Sequence, residues 1–410
     1  MNTKELHPST RTIMTPGPVE VDPRVLRAMS TPVIGQFDPE FLDIMNETMG
    51  LIRDLFQTEN HWSYTIDGTS RAGIEAVLCS IIEPGDNVFI PIFGRFGHLL
   101  TEIAARCGAD VHNASVEWGT VFDPEELKKK IQDVNPKIVA LVHGETSTGR
   151  MQPLKEIGQF CRDNDILFVV DAVATVGGIP FKTDEWNIDA AITGTQKCVS
   201  APSGMALITY NERIEHVLLE RKSIEQGLSE SGTNPRRIHS NYFDLSQIQD
   251  YWTPDRLNHH TEATSMLYAV RESLRFIKQE GIENRYERHR IHSEALNIGL
   301  EAMGISLYGN NENRLPCVTV INVPEGIEET AIRSTLLEQF GIEIAGSFGP
   351  LKGKVVRIGT MGFSCRKNNI LQTLGALEST FTYLGVPVNQ GEAVQAALHY
   401  YDQLPEPVSL

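Results

Sequence analysis

The chain reads as an α/β protein with a mostly parallel central sheet, helices on both faces, and a smaller α+β C-terminal domain. Three observations predict this class. Between residues 63 and 210, short apolar runs alternate with helical periodicities, the pattern of βαβ units. One run, Ile166 to Val170, is apolar at every position, as a strand covered on both sheet faces should be. From about Ala263, long amphipathic stretches take over. The expected division is an opening segment of 1–20, a large domain of 21–262 and a small domain of 263–410.

The elements follow in chain order. Thr15-Pro16-Gly17-Pro18 excludes regular helix and central strand. Gly35-Gln36-Phe37-Asp38-Pro39 is also irregular, and Pro39 opens a helix. Its Phe41, Leu42, Met45, Met49, Ile52 and Leu55 recur at helical spacing. Strands are expected at 63–66, 87–91, 109–113, 138–142 and 189–193, with helices at 72–82, 95–107, 124–132 and 154–163. A strand at 205–210 follows a short turn, so an antiparallel course is expected there. Helices at 266–279 and 284–303 come next, the first bridging the two domains. A strand at 318–323, a helix at 329–340, a strand at 355–358, a helix at 367–384, and one short helical pattern with a Pro-rich end over 387–410 complete the small domain. There is no internal repeat and no low-complexity segment.

Composition excludes several classes of function. The net charge of −17 over 410 residues argues against nucleic acid or an anionic membrane as the main partner. No apolar run reaches spanning length and the start is polar, so a cytoplasmic protein without a membrane partner is expected. The six cysteines are scattered with no CxxC pair, and reduced thiols are expected. Cys198 beside Lys197 lacks an evident base and reads as a small buried thiol. The histidines show no HExxH or paired ligand spacing, so no metal site is expected.

The chemistry concentrates between Phe168 and Ile208. Asp171 ends the apolar run, at the strand terminus where open α/β sheets bind ligands. Lys197 follows 26 residues later, in the run Gly194-Thr195-Gln196-Lys197. A buried acid and a lysine in a polar turn suit pyridoxal 5'-phosphate. That cofactor needs an amine to condense with its aldehyde and an acid to keep its pyridine nitrogen protonated. Spacing alone also admits a helix-capping Asp171 and a solvated Lys197.

The neighbouring motifs narrow the choice. His143-Gly144-Glu145-Thr146-Ser147-Thr148-Gly149, Asp171-Ala172-Val173-Ala174-Thr175-Val176-Gly177-Gly178 and Gly194-Thr195-Gln196-Lys197 stand in this order. Nearly the whole chain resembles the class V aminotransferases, in their alanine–glyoxylate and serine–pyruvate branch. The resemblance implies a fold-type I pyridoxal-phosphate transferase whose opening segment lies over the active site. It implies a homodimer with shared active sites, an amino donor and glyoxylate as acceptor. Lys197 and Asp171 would be the catalytic pair.

Gly68-Thr69-Ser70-Arg71 opens a helix and would cradle the phosphate on backbone and hydroxyl donors. Alone, this run reads equally as a capping turn. The resemblance places Thr69, Ser70 and Arg71 at the phosphate loop and makes Gln196 a further donor. It places His260 and Thr261 on a segment reaching the partner subunit's phosphate. It sets Phe96 and Val173 on opposite faces of the pyridine ring and Thr146 at its phenolic oxygen. By periodicity alone Phe96 is a core residue of its helix. Arg357, in an otherwise apolar run, is the candidate for the substrate carboxylate or for an internal ion pair.

Gln36 and Asn258 depart from the alanine- and serine-using members that the chain resembles. Both are carboxamides, which suit a donor carrying a ureido group, namely ureidoglycine; they also read as ordinary loop polar residues. Alanine and serine are the alternative donors. Cysteine desulfuration would need a cysteine in a mobile loop, and none is evident. A regulator would need a DNA-binding module, for which the chain has neither spare length nor basic charge.

Overall fold

The structure is a computed structural model and describes residue 3 together with residues 5–225 and 234–404. Its centre is a seven-stranded sheet. In spatial order the strands are Trp62–Asp67, Met205–Tyr210, Ala190–Gly194, Leu167–Asp171, Ile138–Val142, Asn87–Ile92 and Asp110–Ser115. Met205–Tyr210 is antiparallel to both neighbours. The remaining pairs are parallel. Strands 138–142, 167–171 and 190–194 are buried at every position, which explains their largely apolar sequences.

Helices cover the sheet and start where sequence punctuation places them. Pro39–Phe56 is capped by the Asp38 side chain, which accepts from the Glu40 N–H, and carries Pro39 in its first turn. Pro124–Val134 is capped in the same way by Asp123. Ser70–Ile81 and Arg95–Arg106 follow the strands ending at Asp67 and Ile92. Three short helices have no expectation behind them: Pro23–Ala28, Glu212–Arg221 and Leu245–Trp252. Each carries a side-chain cap, from Asp22, Asn211 and Asp244 respectively. Helices this short are held by caps and tertiary burial rather than by a readable period.

The second unit is a three-stranded antiparallel sheet of Val318–Asn322, Val355–Gly359 and Ala345–Gly346. Helices Ile282–Ala302, Lys367–Tyr383 and Glu392–Asp402 pack with it around Leu296, Ile321, Val356, Leu374 and Phe381. Thr264–Glu280 instead packs on Pro39–Phe56 and buries Leu267, Val270 and Leu274 in the first core. The helix read at 329–340 is α-helical only to Thr335. It continues as a π-helix over Leu336–Phe340 and stops at Gly341.

The opening segment belongs to the second unit. Thr12–Ile13 pairs in parallel with Ile342–Glu343, and the Gly359 N–H donates to the Met14 carbonyl at 2.7 Å. From there the chain turns towards the carboxyl ends of the central strands. No helix among the described residues is long and apolar enough to cross a membrane.

Candidate active site

The carboxyl ends of the central strands open on a cavity of about 520 Å³. Its lining includes Thr69, Ser70, Arg71, Phe96, Thr146, Asp171, Val173, Gln196 and Lys197. Nine residues selected from sequence thus meet in one space. They come from the ends of five different strands, which is where a parallel sheet delivers its side chains.

Asp171 is 5% exposed, and its Oδ1 accepts the Val173 N–H at 3.0 Å. Burial pushes its carboxyl up to about 6, against the pull of that hydrogen bond. Lys197 stands on the turn after Gly194, and its ammonium donates to the Pro16 carbonyl. Burial, reinforced by the Arg357 charge, lowers this amine to about 8. Gly17 sits at φ +96°, and a Cβ there would lie 2.5 Å from the Lys197 side chain. The opening segment therefore closes over the lysine only because residue 17 is glycine.

At the opposite end of the cavity, helix Ser70–Ile81 begins without a cap from the Thr69 side chain. The Ala72 N–H turns back to the Thr69 carbonyl at 2.8 Å, and the N–H groups of Ser70 and Arg71 are left for an anion. Gln196 Nε2 donates to Ser70 Oγ at 2.6 Å, and Gln196 Oε1 is buried with no hydrogen bond among the described residues. Gly68 lies behind this rim, where its N–H donates to the Gly204 carbonyl at 2.9 Å.

The wall carrying Phe96 rests on Glu145, a fully buried carboxylate whose role the sequence did not reveal. Glu145 Oε2 accepts the Phe96 N–H at 2.8 Å, and Oε1 accepts the Ser147 N–H at 3.0 Å. One acid thus ties the Phe96 helix to the Thr146 loop. The motif around 145 was visible as a string, but not the fold of the chain back onto residue 96.

Arg357 is 6% exposed and stands behind Thr146 rather than on the cavity wall. Its Nε donates to the Gly346 carbonyl at 2.6 Å and its Nη1 to the Thr146 carbonyl at 3.1 Å. No carboxylate among the described residues pairs with it. Burial lowers it to about 10. Ile74, Leu99, Ala174 and Ser203 complete the cavity. They are apolar or small and carry no sequence signal of a site.

Besides Gly68 and Arg357, four further candidates stay outside this chain's cavity. Gln36 Nε2 donates to Asn258 Oδ1 at 3.0 Å, and Gln36 Oε1 accepts the Glu262 N–H at 3.1 Å. Thr261 is exposed. His260 turns inward, with its Nε2 3.5 Å from Asp67 Oδ2. All six cysteines are free, and Cys198 is fully buried.

The cavity fits pyridoxal 5'-phosphate on its own chemistry. It offers an amine of lowered basicity, a buried acid with one oxygen uncommitted to the backbone, and an uncapped helix start. The orphaned Gln196 oxygen needs a donor or ordered solvent supplied from within the cavity.

Comparison with known proteins agrees. The family model "Aminotransferase class-V" matches residues 27–355. The chain is 61% identical over 406 residues, 97% of each chain, to the (S)-ureidoglycine–glyoxylate transaminase of Bacillus subtilis (strain 168). The crystal structure of ureidoglycine–glyoxylate aminotransferase from Bacillus subtilis superposes with a TM-score of 0.93. It covers 98% of this chain and 100% of that one. An alanine–glyoxylate aminotransferase from Nostoc sp. is 38% identical with a TM-score of 0.88, covering 93% and 98% of the two chains. With the acid, the amine and the anion rim already converging on one cavity, this chain belongs to the pyridoxal-phosphate-dependent class V aminotransferases of fold type I.

Proposed function

We propose that the protein transfers the amino group of (S)-ureidoglycine to glyoxylate, giving oxalurate and glycine, in the breakdown of purines through allantoin. The observation that carries this reading is the full-length likeness to the Bacillus subtilis transaminase.

Bound in the cavity, pyridoxal phosphate supplies the carbonyl that takes the amino group and a ring that spreads the charge left on the α-carbon. Thr69, Ser70, Gln196 and the Ser70–Ile81 helix start hold the phosphate, with Gly68 shaping the loop and Arg71 at its edge. Phe96 and Val173 would hold the ring between them, and Thr146 would serve its phenolic oxygen. Asp171 keeps the proton on the ring nitrogen, a task that an acid ionised above about pH 6 performs at neutral pH. Lys197 Nζ takes the proton from the donor's α-carbon and returns it. A lysine near pKa 8 can do both, because neither form is scarce near that pH.

Arg357 binds the carboxylate shared by donor and acceptor. Its Nε donates to Gly346 and its Nη1 to Thr146, so Nη2 is the nitrogen left without a protein partner for the substrate carboxylate.

The Gln36–Asn258 pair reads the ureido group. Its polarity follows from one backbone group. The Glu262 N–H needs an acceptor, so it fixes Gln36 with Oε1 towards residue 262. Gln36 Nε2 then faces Asn258 Oδ1, leaving the Asn258 amino group turned outward. The pair thus presents N–H donors, complementary to the ureido carbonyl. It lies outside this chain's cavity, so it serves a second copy. We read the protein as a cytoplasmic homodimer in which Thr261 and the segment around His260 reach the partner's phosphate. The large unit is 21–262 and the small unit 263–410.

A donor screen with glyoxylate as acceptor tests the reading. Freshly made ureidoglycine should be used with the highest kcat/KM; equal or better use of alanine or serine would favour the alternative donors.

A further inference from the structure

Apart from the cavity, two clusters bring metal-ligating atoms together. The first, Cys198, His289 and Cys317, is fully buried. Both nitrogens of His289 are already engaged there: Nδ1 with the Arg285 carbonyl at 2.8 Å and Nε2 with the Gly362 N–H at 2.8 Å. That histidine has no lone pair to give.

The second cluster is Asp67, His260 and Glu262. Asp67 ends the edge strand Trp62–Asp67. His260 and Glu262 lie on the segment that crosses it. His260 Nε2 is 3.5 Å from Asp67 Oδ2 and 3.7 Å from Glu262 Oε2. These separations are long for hydrogen bonds. Two donors about 2.1 Å from one tetrahedral ion stand roughly 3.4 Å apart. The spacing is that of ligands around a common centre.

The donor set is partly committed, since Asp67 Oδ2 accepts the Ala263 N–H at 3.0 Å, and partly free. Asp67 Oδ1, Glu262 Oε1 and the Tyr251 hydroxyl are buried and have no hydrogen-bond partner among the described residues. The Glu262 side chain is 1% exposed and points at His260. The nearby cation, Arg256, is spent on Asn46 and on the Tyr251 carbonyl at 3.3 Å. His260 Nδ1 faces His259 Nδ1 at 2.9 Å. A proton on that side leaves the Nε2 lone pair to ligate, the usual support for a metal-bound imidazole.

We propose that Asp67, His260 and Glu262 bind one divalent transition-metal ion, zinc by the nature of its donors. The ion clamps segment 258–262 to the residue preceding Gly68. It thereby ties the Asn258 carboxamide to the phosphate loop of its own chain. The inference uses none of the assignments of donor or acceptor made above.

The test is zinc uptake by the chelator-treated, full-length holoenzyme, followed by elemental analysis and by thermal melting. Wild type should take up one zinc per chain and melt at a higher temperature with zinc present. Glu262→Gln, nearly isosteric, and Asp67→Asn should each weaken zinc binding by about tenfold or more, and the zinc-induced shift should vanish. The two variants guard against a folding defect in either one. Wild type that takes up no zinc overturns the proposal, as does a Glu262→Gln variant that binds it as tightly. So does a wild type whose melting temperature depends on pH through Glu262 but not on zinc, because the two acids then share a proton instead.

Discussion

The floor of the cavity and the surface patch at 258–262 are built on different terms. The floor is complete within one chain. Asp171 ends one central strand and Lys197 stands on the turn that follows its neighbour, both shielded from water, and their ionisation is set by that burial. The patch carries equally specific polar groups, Gln36, Asn258 and Thr261, yet lies outside this chain's own cavity. A buried strand end can hold chemistry by itself. A surface carboxamide pair acquires a task only when another surface meets it. The contrast predicts that reaction chemistry is local to a chain, whereas donor choice is shared between chains.

The sharpest way to break this comparison is at the floor. Lys197→Ala should lower kcat by about 10³-fold or more, in line with the loss of a positioned acid–base group. Cofactor content by absorbance and phosphate analysis should survive at least in part, because the phosphate rim is untouched. Transamination near the wild-type rate would remove Lys197 from proton transfer.

Arg357→Ala should raise KM for ureidoglycine and glyoxylate together. Loss of charge-assisted bonds worth about 1.5–3 kcal/mol corresponds to roughly 10–150-fold in kcat/KM. Arg357→Lys should recover only part, because a point charge cannot reproduce the planar end. Steady-state kinetics with each substrate decides this. Unchanged constants for both would leave Arg357 a structural tie between Gly346 and Thr146.

Mixing chains sharpens the contrast directly. Lys197→Ala chains and Gln36→His/Asn258→Tyr chains should each be poor with ureidoglycine. In the proposed dimer, reassortment puts both chains in half of the pairs, and one of the two sites in each such pair has an intact floor with intact readers. The mixture should recover roughly a quarter of wild-type activity. No recovery above the separate variants would mean that the readers act within their own chain.

The smallest effect is a pH dependence. Cofactor reconstitution would call on the Lys197 amine in its neutral form, and burial lowers its pKa to about 8. Reconstitution of cofactor-free protein should therefore speed up as pH rises through about 8 and level off above it, rather than climbing towards 10. Stopped-flow absorbance from pH 6.5 to 9.5 checks this. A rate still rising steeply at pH 9.5 would place the lysine in a wetter setting.

Much of the architecture was legible because its signals are local. Unbroken apolar runs marked the buried strands, and prolines and acids marked helix starts such as Asp38-Pro39 and Asp123-Pro124. The helices at 23–28, 212–221 and 245–252 were not legible. At six to ten residues they depend on caps and tertiary burial. The cavity residues of the motifs were legible as chemistry, and Glu145 was present in the string. Its carboxylate nevertheless meets a backbone N–H that lies 49 positions away.

By itself, the sequence determined the strand–helix alternation, the acid at a strand end, the lysine beyond it and the carboxamides at 36 and 258. These follow from residue type and short spacing, which need no fold to be read. Tertiary structure alone decided the rest. It turned Gly17 onto Lys197 and hid Glu145 beneath Phe96. It set the two carboxamides in an order dictated by the Glu262 amide. It also gathered Asp67 with His260 and Glu262, residues nearly 200 positions apart. Such meetings are set by how strands stack and loops return. No local pattern encodes that order, because the free energy that enforces it comes from packing the whole core.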